Sequence, residues 1–154
     1  MTKFKIVALF VFYYATATTL WSQIFNQGEE WKSFTSVGQI RDIAIKDGVV
    51  WSGSNGGVLK FDQDQQTFTK FTNTEGLSSN DVVAVEVDQR GGVWFALFDG
   101  VLNRYDPQNN SWEVVEDYKN QVIADMVSFG DSLYVALDVG VSLYLINKRE
   151  VKET

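Results

Sequence analysis

Cysteine and histidine are both missing from this chain of 154 residues. Without cysteine there can be no disulfide, no thiol catalysis, no thiolate metal site and no lipidation of a mature N-terminal cysteine. Without histidine the usual general base and the commonest metal ligand are gone as well. Proline is nearly absent, with Pro107 alone, and basic residues are scarce, 13 against 20 acidic ones. A surface this acidic repels phosphate backbones, so nucleic acid is not an expected partner. Long apolar runs are confined to the N-terminus. What the chain does have is aromatic side chains, at 14%, and twelve glycines. That composition suits short strands joined by tight turns and packed face to face.

Residues 1–23 read as an export signal. Lys3 and Lys5 form a positive start, Ile6 to Tyr14 is an apolar run, and small residues follow from Ala15 to Thr19. Cleavage is expected after Ala17 or near Ser22-Gln23, with an uncleaved anchor as the alternative; the run is short for a bilayer span. Removing these residues takes away two lysines and no acid, which lowers the formal charge from −7 to −9.

Beyond them the sequence repeats itself. Ile40 to Phe71 matches Val82 to Val115 when Trp51 is laid over Trp94. Val50-Trp51 then sits over Val93-Trp94, Gly57-Val58-Leu59 over Gly100-Val101-Leu102, and Phe61-Asp62 over Tyr105-Asp106. A weaker third copy places Leu133-Tyr134, Gly140-Val141 and Tyr144 in the same order. Both the aromatic positions and the glycines recur at spacings of 43 and 40 residues. Within each copy apolar residues alternate in twos, as strands require, and not at the spacing of helices.

A period of about 40 built from short strands and glycine turns is the mark of a propeller blade. The fold class expected is therefore all-β, a partial β-propeller of three four-stranded blades over about 40–72, 82–116 and 122–154. Asp47-Gly48 is a strong hairpin signal. Trp31-Lys32-Ser33-Phe34 alternates like the last strands of the repeats and reads as an orphan outer strand ahead of them. The fourth strand of the third blade has only begun at Glu150 to Thr154. Closed propellers use about four to eight blades. The expectation is thus an N-terminal part of a larger ring of six to eight blades, or a chain that associates with copies of itself, with Trp and Val side chains left facing water.

Glu75-Gly76-Leu77-Ser78-Ser79-Asn80, the apolar strand ending at Asp88, Gly92-Val93-Trp94 and Gly100 to Asp106 resemble the two-component regulator propeller repeat of exported Bacteroidetes-type proteins. The likeness covers one whole repeat and blade one in reduced form; Ala96-Leu97 stands where that repeat has a threonine. The early Trp31 to Phe34 strand, Ile40 to Ala44 and the ending from Gly140 to Thr154 are similar to the propeller protein family of the Por, or type IX, secretion system. That resemblance implies an exported, non-enzymatic scaffold in the periplasm or at the outer-membrane surface, with a surface peptidase of the secretion system as protein partner. The alternative resemblance, to the periplasmic sensor of a hybrid two-component regulator, implies detection of a glycan. An enzyme acting through paired carboxylates is a third reading, and no acid pair is placed for it by the repeat.

Candidate residues divide by position. Trp51, Trp94 and Tyr134 could stack on sugars, but their recurrence in mid-strand argues for packing between blades. Gly57, Gly100 and Gly140 read as a backbone requirement at one turn. Asp42 and Asp125 share an inner-strand position that could ring a cation, but Ala84 breaks the ring, and bonding to backbone N–H groups is the expected role. Asp62 and Asp64 lack the rest of a calcium loop. No cofactor or metal is expected. The remaining candidates are loop residues that should share one rim: Asn55, Glu75, Asn80, Phe98, Asp99 and Asp138, since loops on a rigid scaffold carry recognition.

Overall fold

The computed structural model describes residues 37–152. The signal segment and the Trp31 to Phe34 strand lie outside the described residues. Twelve strands fill the described chain: β1 (Ile40–Lys46), β2 (Val49–Ser54), β3 (Gly57–Asp62), β4 (Thr67–Phe71), β5 (Val82–Val87), β6 (Val93–Leu97), β7 (Leu102–Asp106), β8 (Ser111–Val115), β9 (Ile123–Phe129), β10 (Ser132–Leu137), β11 (Gly140–Leu145) and β12 (Glu150–Lys152). They form three antiparallel sheets of four strands, each in plain sequence order. The three sheets are the three blades expected, and β12 completes the third by pairing with Leu143–Leu145.

Local chemistry explains the meander. Asp47 and Gly48 both have positive φ, 50° and 74°, as a two-residue hairpin matched to strand twist requires. Gly130 (φ 59°) opens the corresponding turn of blade three. The turns before the outer strands end in Gln66, Asn110 and Arg149, all at positive φ near 50°. Backbone conformation thus repeats where side chains no longer do. Each innermost strand also carries a β-bulge at the same place, between Ile40 and Asp42, between Val82 and Ala84, and between Ile123 and Asp125.

The core consists of two layers between the sheets. Between blades one and two it is aromatic: Trp51, Phe71, Phe95 and Tyr105 are buried together, with Trp112 packed against them. The Trp51 ring lies 6.1 Å from Phe95 and 5.8 Å from Tyr105, and Tyr105 lies 4.8 Å from Trp112. Between blades two and three it is mostly aliphatic: Ala84, Ala96, Leu102, Ile123, Met126, Leu133 and Val135 surround Trp94, whose ring meets Tyr144 edge-on at 5.6 Å. Blade two is covered on both sides, so all five residues of β6 are buried. Each large side chain sealed here contributes about 1.5–3 kcal/mol relative to leaving it in water.

Among the described residues, each end blade has one face with no sheet on it. Ile43, Ile45 and Phe68 of blade one, and Val127, Tyr134 and Val141 of blade three, are exposed. This corrects two expectations. Trp51 and Trp94 do not face water; both are buried. Tyr134 does not share their burial, being 41% exposed. It stands at the same strand position, but no fourth sheet lies on it among the described residues.

Candidate interaction rim

Antiparallel order puts the turns between second and third strands at the same end of the sheets as the connections between blades. Backbone bonds join the two sets. The Phe98 N–H donates to the Asp81 carbonyl at 2.8 Å, Asn120 to Asp99 at 2.7 Å, and Asp138 to Val122 at 3.2 Å. The strand order places Asn55, Glu75, Asn80, Phe98, Asp99 and Asp138 in the loops at this end of the sheets. Gly57 and Gly100 explain why this rim is compact. Both have positive φ, and a Cβ at either would strike the backbone carbonyl of the adjoining connection, Phe71 for Gly57 and Tyr118 for Gly100. Gly140 has the positive φ without the close neighbour.

Several rim residues hold the loop itself. Glu75 accepts hydrogen bonds from the Thr72 N–H and hydroxyl, each at 2.6 Å, and from the Thr74 hydroxyl at 2.7 Å. Partial burial works to raise its pKa, but these bonds outweigh it and hold the carboxyl below the usual range. Asn80 and Asn73 exchange bonds, with the Asn73 N–H on Asn80 Oδ1 at 2.7 Å. Asp99 Oδ1 accepts the Val101 N–H at 3.2 Å. Glu75 and Asn80 are thus braces of the connection. Phe98, 71% exposed, stands with Asn55, Asp99 and Asp138 on the exposed side of the rim, and Glu75 is exposed as well. With Val122 and Val139, also exposed, Phe98 makes the rim apolar at its tips and acidic around them.

The Gly76-Leu77-Ser78 segment is explained by what it touches. Leu77 plugs the aromatic layer. Gly76, at φ 126°, lies under Trp112, whose ring any Cβ would meet. Asn103, fully buried, accepts the Ser78 N–H at 2.7 Å and donates to the Ser78 hydroxyl at 2.9 Å. Asn103 was not singled out from sequence; its only signal is an amide on the inward side of an apolar strand.

The carboxylates on the inner strands link neighbouring blades. Asp42 Oδ1 accepts its neighbour Ile43 N–H at 2.8 Å, and Oδ2 reaches across to the Val85 N–H of blade two at 2.7 Å. Backbone bonding is thus the role observed for Asp42. Blade two, with Ala84 at that position, uses Glu86 instead, which accepts the Ser128 N–H of blade three at 2.7 Å. Sequence comparison position by position missed Glu86 because the acid has moved two residues along the same strand face. Asp125 repeats only the local half, accepting the Met126 N–H at 2.8 Å.

Asp88 was also missed as a node. It is 1% exposed and accepts from the N–H groups of Arg90 and Gly92, from Trp94 Nε1 at 3.1 Å and from Arg104 Nη2 at 3.0 Å. Its chain position gave it away only as a strand end. Asp62 Oδ1 accepts the N–H groups of Asp64 and Gln65, and Asp106 caps the equivalent turn through Gln108. These acids are turn caps. At the outer strands, Arg104, Asp106, Asn109, Glu113 and Arg149 border a polar groove of ≈ 410 Å³, crossed by an Arg149–Glu113 ion pair at 3.1 Å. Burial, aided by Glu113 and Asp117, pushes the Tyr144 phenol up to about 12. What the described residues offer, then, is a rigid rim with outward apolar and acidic tips.

No protein-family model and no curated protein matches the sequence. Solved structures do. PorZ, an essential bacterial surface component of the type-IX secretion system of Porphyromonas gingivalis, superposes with a TM-score of 0.71 at 14% identity, over 80% of this chain and 18% of that one. The fold is that of a β-propeller. The extracellular domain of the hybrid two-component system BT4673 of B. thetaiotaomicron gives 0.66 at 17% identity, over 75% of this chain and 17% of that one. The extracellular domain of BT3049 from the same organism gives 0.64 at 16%, over 84% and 20%. The chain therefore spans about a fifth or less of the length of these solved chains.

Proposed function

We propose that this chain is an exported, non-enzymatic β-propeller that acts as an interaction scaffold of a type IX secretion system at the cell surface. The observation that carries the reading is the superposition on PorZ over 80% of the chain with a TM-score of 0.71. The N-terminal sequence pattern of an export signal agrees with it. So does the character of the rim, where rigid loops present Phe98, Val122 and Val139 among acids, as a protein-binding surface does. The partner in this reading is a surface peptidase that processes secreted proteins. Deleting the gene in the native host is expected to leave secreted substrates unprocessed while the cells still make them. Normal processing in the deletion strain would overturn the reading.

A second reading, a periplasmic sensor of a hybrid two-component regulator, is favoured by the likeness to the BT4673 and BT3049 extracellular domains. It expects a glycan on the rim and altered transcription, with normal processing, in the same deletion strain.

A further inference from the structure

The two ends of the sheets differ in what their turns expose. At the end opposite the rim, the turns 47–48, 63–66 and 107–110 expose no large apolar side chain. At the rim, Phe98 is 71% exposed, Val122 61% and Val139 81%. Phe98 stands where blade one has Asn55 and blade three has Asp138, so the turn itself does not call for an aromatic.

Backbone bonds hold these side chains on one stretch of the rim. The connection 116–122 carries Val122. On one side its Asn120 N–H is bonded to the Asp99 carbonyl of the Phe98 turn, and on the other its Val122 carbonyl accepts the Asp138 N–H of the Val139 turn. Gly100 seats the Phe98 turn directly against Tyr118 and Gln121.

Charge divides the two ends as well. The loops 98–100, 116–122 and 138–139 carry Asp99, Glu116, Asp117 and Asp138 against Lys119 alone, and Lys119 is paired with Glu116 at 3.0 Å. Asp99, Asp117 and Asp138 form no ion pair among the described residues. At the opposite end cations are present and paired, Arg90 with Asp131 and Arg149 with Glu113. Surface acids alone would be a solvated face. Apolar tips fixed between them are surface that a partner can bury.

We infer that the loops 98–100, 116–122 and 138–139 bind a basic, apolar segment of a partner protein, in which lysine or arginine stands beside large aliphatic side chains. This rests on the reading of the rim as the scaffold's contact surface and adds the chemistry of what it contacts. The aliphatic side chains cover Phe98, Val122 and Val139. The cations meet Asp99, Asp117 and Asp138, or lie over the Phe98 ring. Turns already fixed by backbone bonds lose little freedom on binding. The same carboxylates reject an acidic segment of equal hydropathy.

The test titrates the 154-residue chain with a synthetic peptide of alternating lysine and leucine, read by calorimetry, beside a glutamate–leucine and a lysine–serine peptide. The lysine–leucine peptide is expected to bind about tenfold or more tighter than either, and to weaken as salt rises. F98S and the double variant D117N/D138N are each expected to weaken its binding about fivefold or more. All three positions are exposed, so the variants should fold, which thermal unfolding checks. I45S, on the exposed face of blade one, is expected to bind as the parent does. Equal binding of the three peptides, or of F98S and the parent, would overturn the inference. So would a loss in I45S, which would move the contact to the sheet face. The titration and the deletion strain answer separate questions. Unprocessed substrates without a preference for the lysine–leucine peptide would leave the scaffold reading standing and remove this inference. Normal processing with that preference would do the reverse.

Discussion

Trp94 and Tyr134 occupy the same position in equivalent strands, yet one is 1% exposed and the other 41%. Both sit in mid-strand, both point toward the next blade, and both have an aliphatic or basic partner on the third strand, Arg104 and Leu143. The difference is only that Trp94 has a sheet laid over it and Tyr134 does not. The repeat encodes a contact, and the neighbour decides whether it is made. In a propeller each blade is stable in proportion to what covers it, much as repeats in a stack are.

The sharpest way to break that comparison is to truncate both residues. Trp94→Ala should cost about 3–5 kcal/mol, because it empties a sealed site. It also removes the indole N–H from Asp88. Tyr134→Ala should cost less than about 1 kcal/mol, as exposed changes do. Urea unfolding measures both, and equal losses would mean that the position, not the covering blade, sets the energy.

The glycine turns offer the next test. Gly100→Ala should cost about 3 kcal/mol, since the new methyl meets the Tyr118 carbonyl and the φ is positive. Gly140→Ala meets nothing within 4 Å and should cost about 1 kcal/mol for its φ alone. Comparable melting temperatures for the two variants would remove the argument that close approach makes the rim rigid.

Asn103→Ala should cost about 2 kcal/mol by removing a buried side chain and leaving the Ser78 N–H without its acceptor. Faster hydrogen exchange confined to 76–80 would show that Asn103 anchors this connection; unchanged protection there would show it does not.

The smallest expected effect is on Glu75. Its carboxyl is held below its ordinary value of 4.5 in the folded chain, so its bonds to Thr72 and Thr74 stabilise the protein above that pH. The contribution fades as pH falls through the lowered folded value. The melting temperature of Glu75→Gln should lie slightly below that of the parent near neutral pH and converge with it in acid. A gap that persists in acid would place the role of Glu75 elsewhere than in its charge.

Much of this was legible in the chain. The alternation in twos, read as strands, is realised in twelve strands that form three four-stranded sheets. The glycine positions were read correctly because a turn of positive φ leaves few alternatives to glycine. The shared rim followed from antiparallel order. Glu86, Asp88 and Asn103 were not legible as a set. Their partners lie 42, 16 and 25 residues away, on other strands or in a connection.

By itself the sequence determined what is local: alternation in twos, turn chemistry at Asp47-Gly48 and Gly100, and a period of about 40 that makes three like sheets. Those signals are written in neighbouring residues and need no tertiary contact to be read. Only the tertiary structure decided which face of each sheet is sealed. It put a carboxylate of one inner strand on a backbone N–H of the next, and it left Tyr134 and Ile43 on open faces. The physical reason is that burial belongs to a pair of surfaces, and a strand's own residues specify just one of the two.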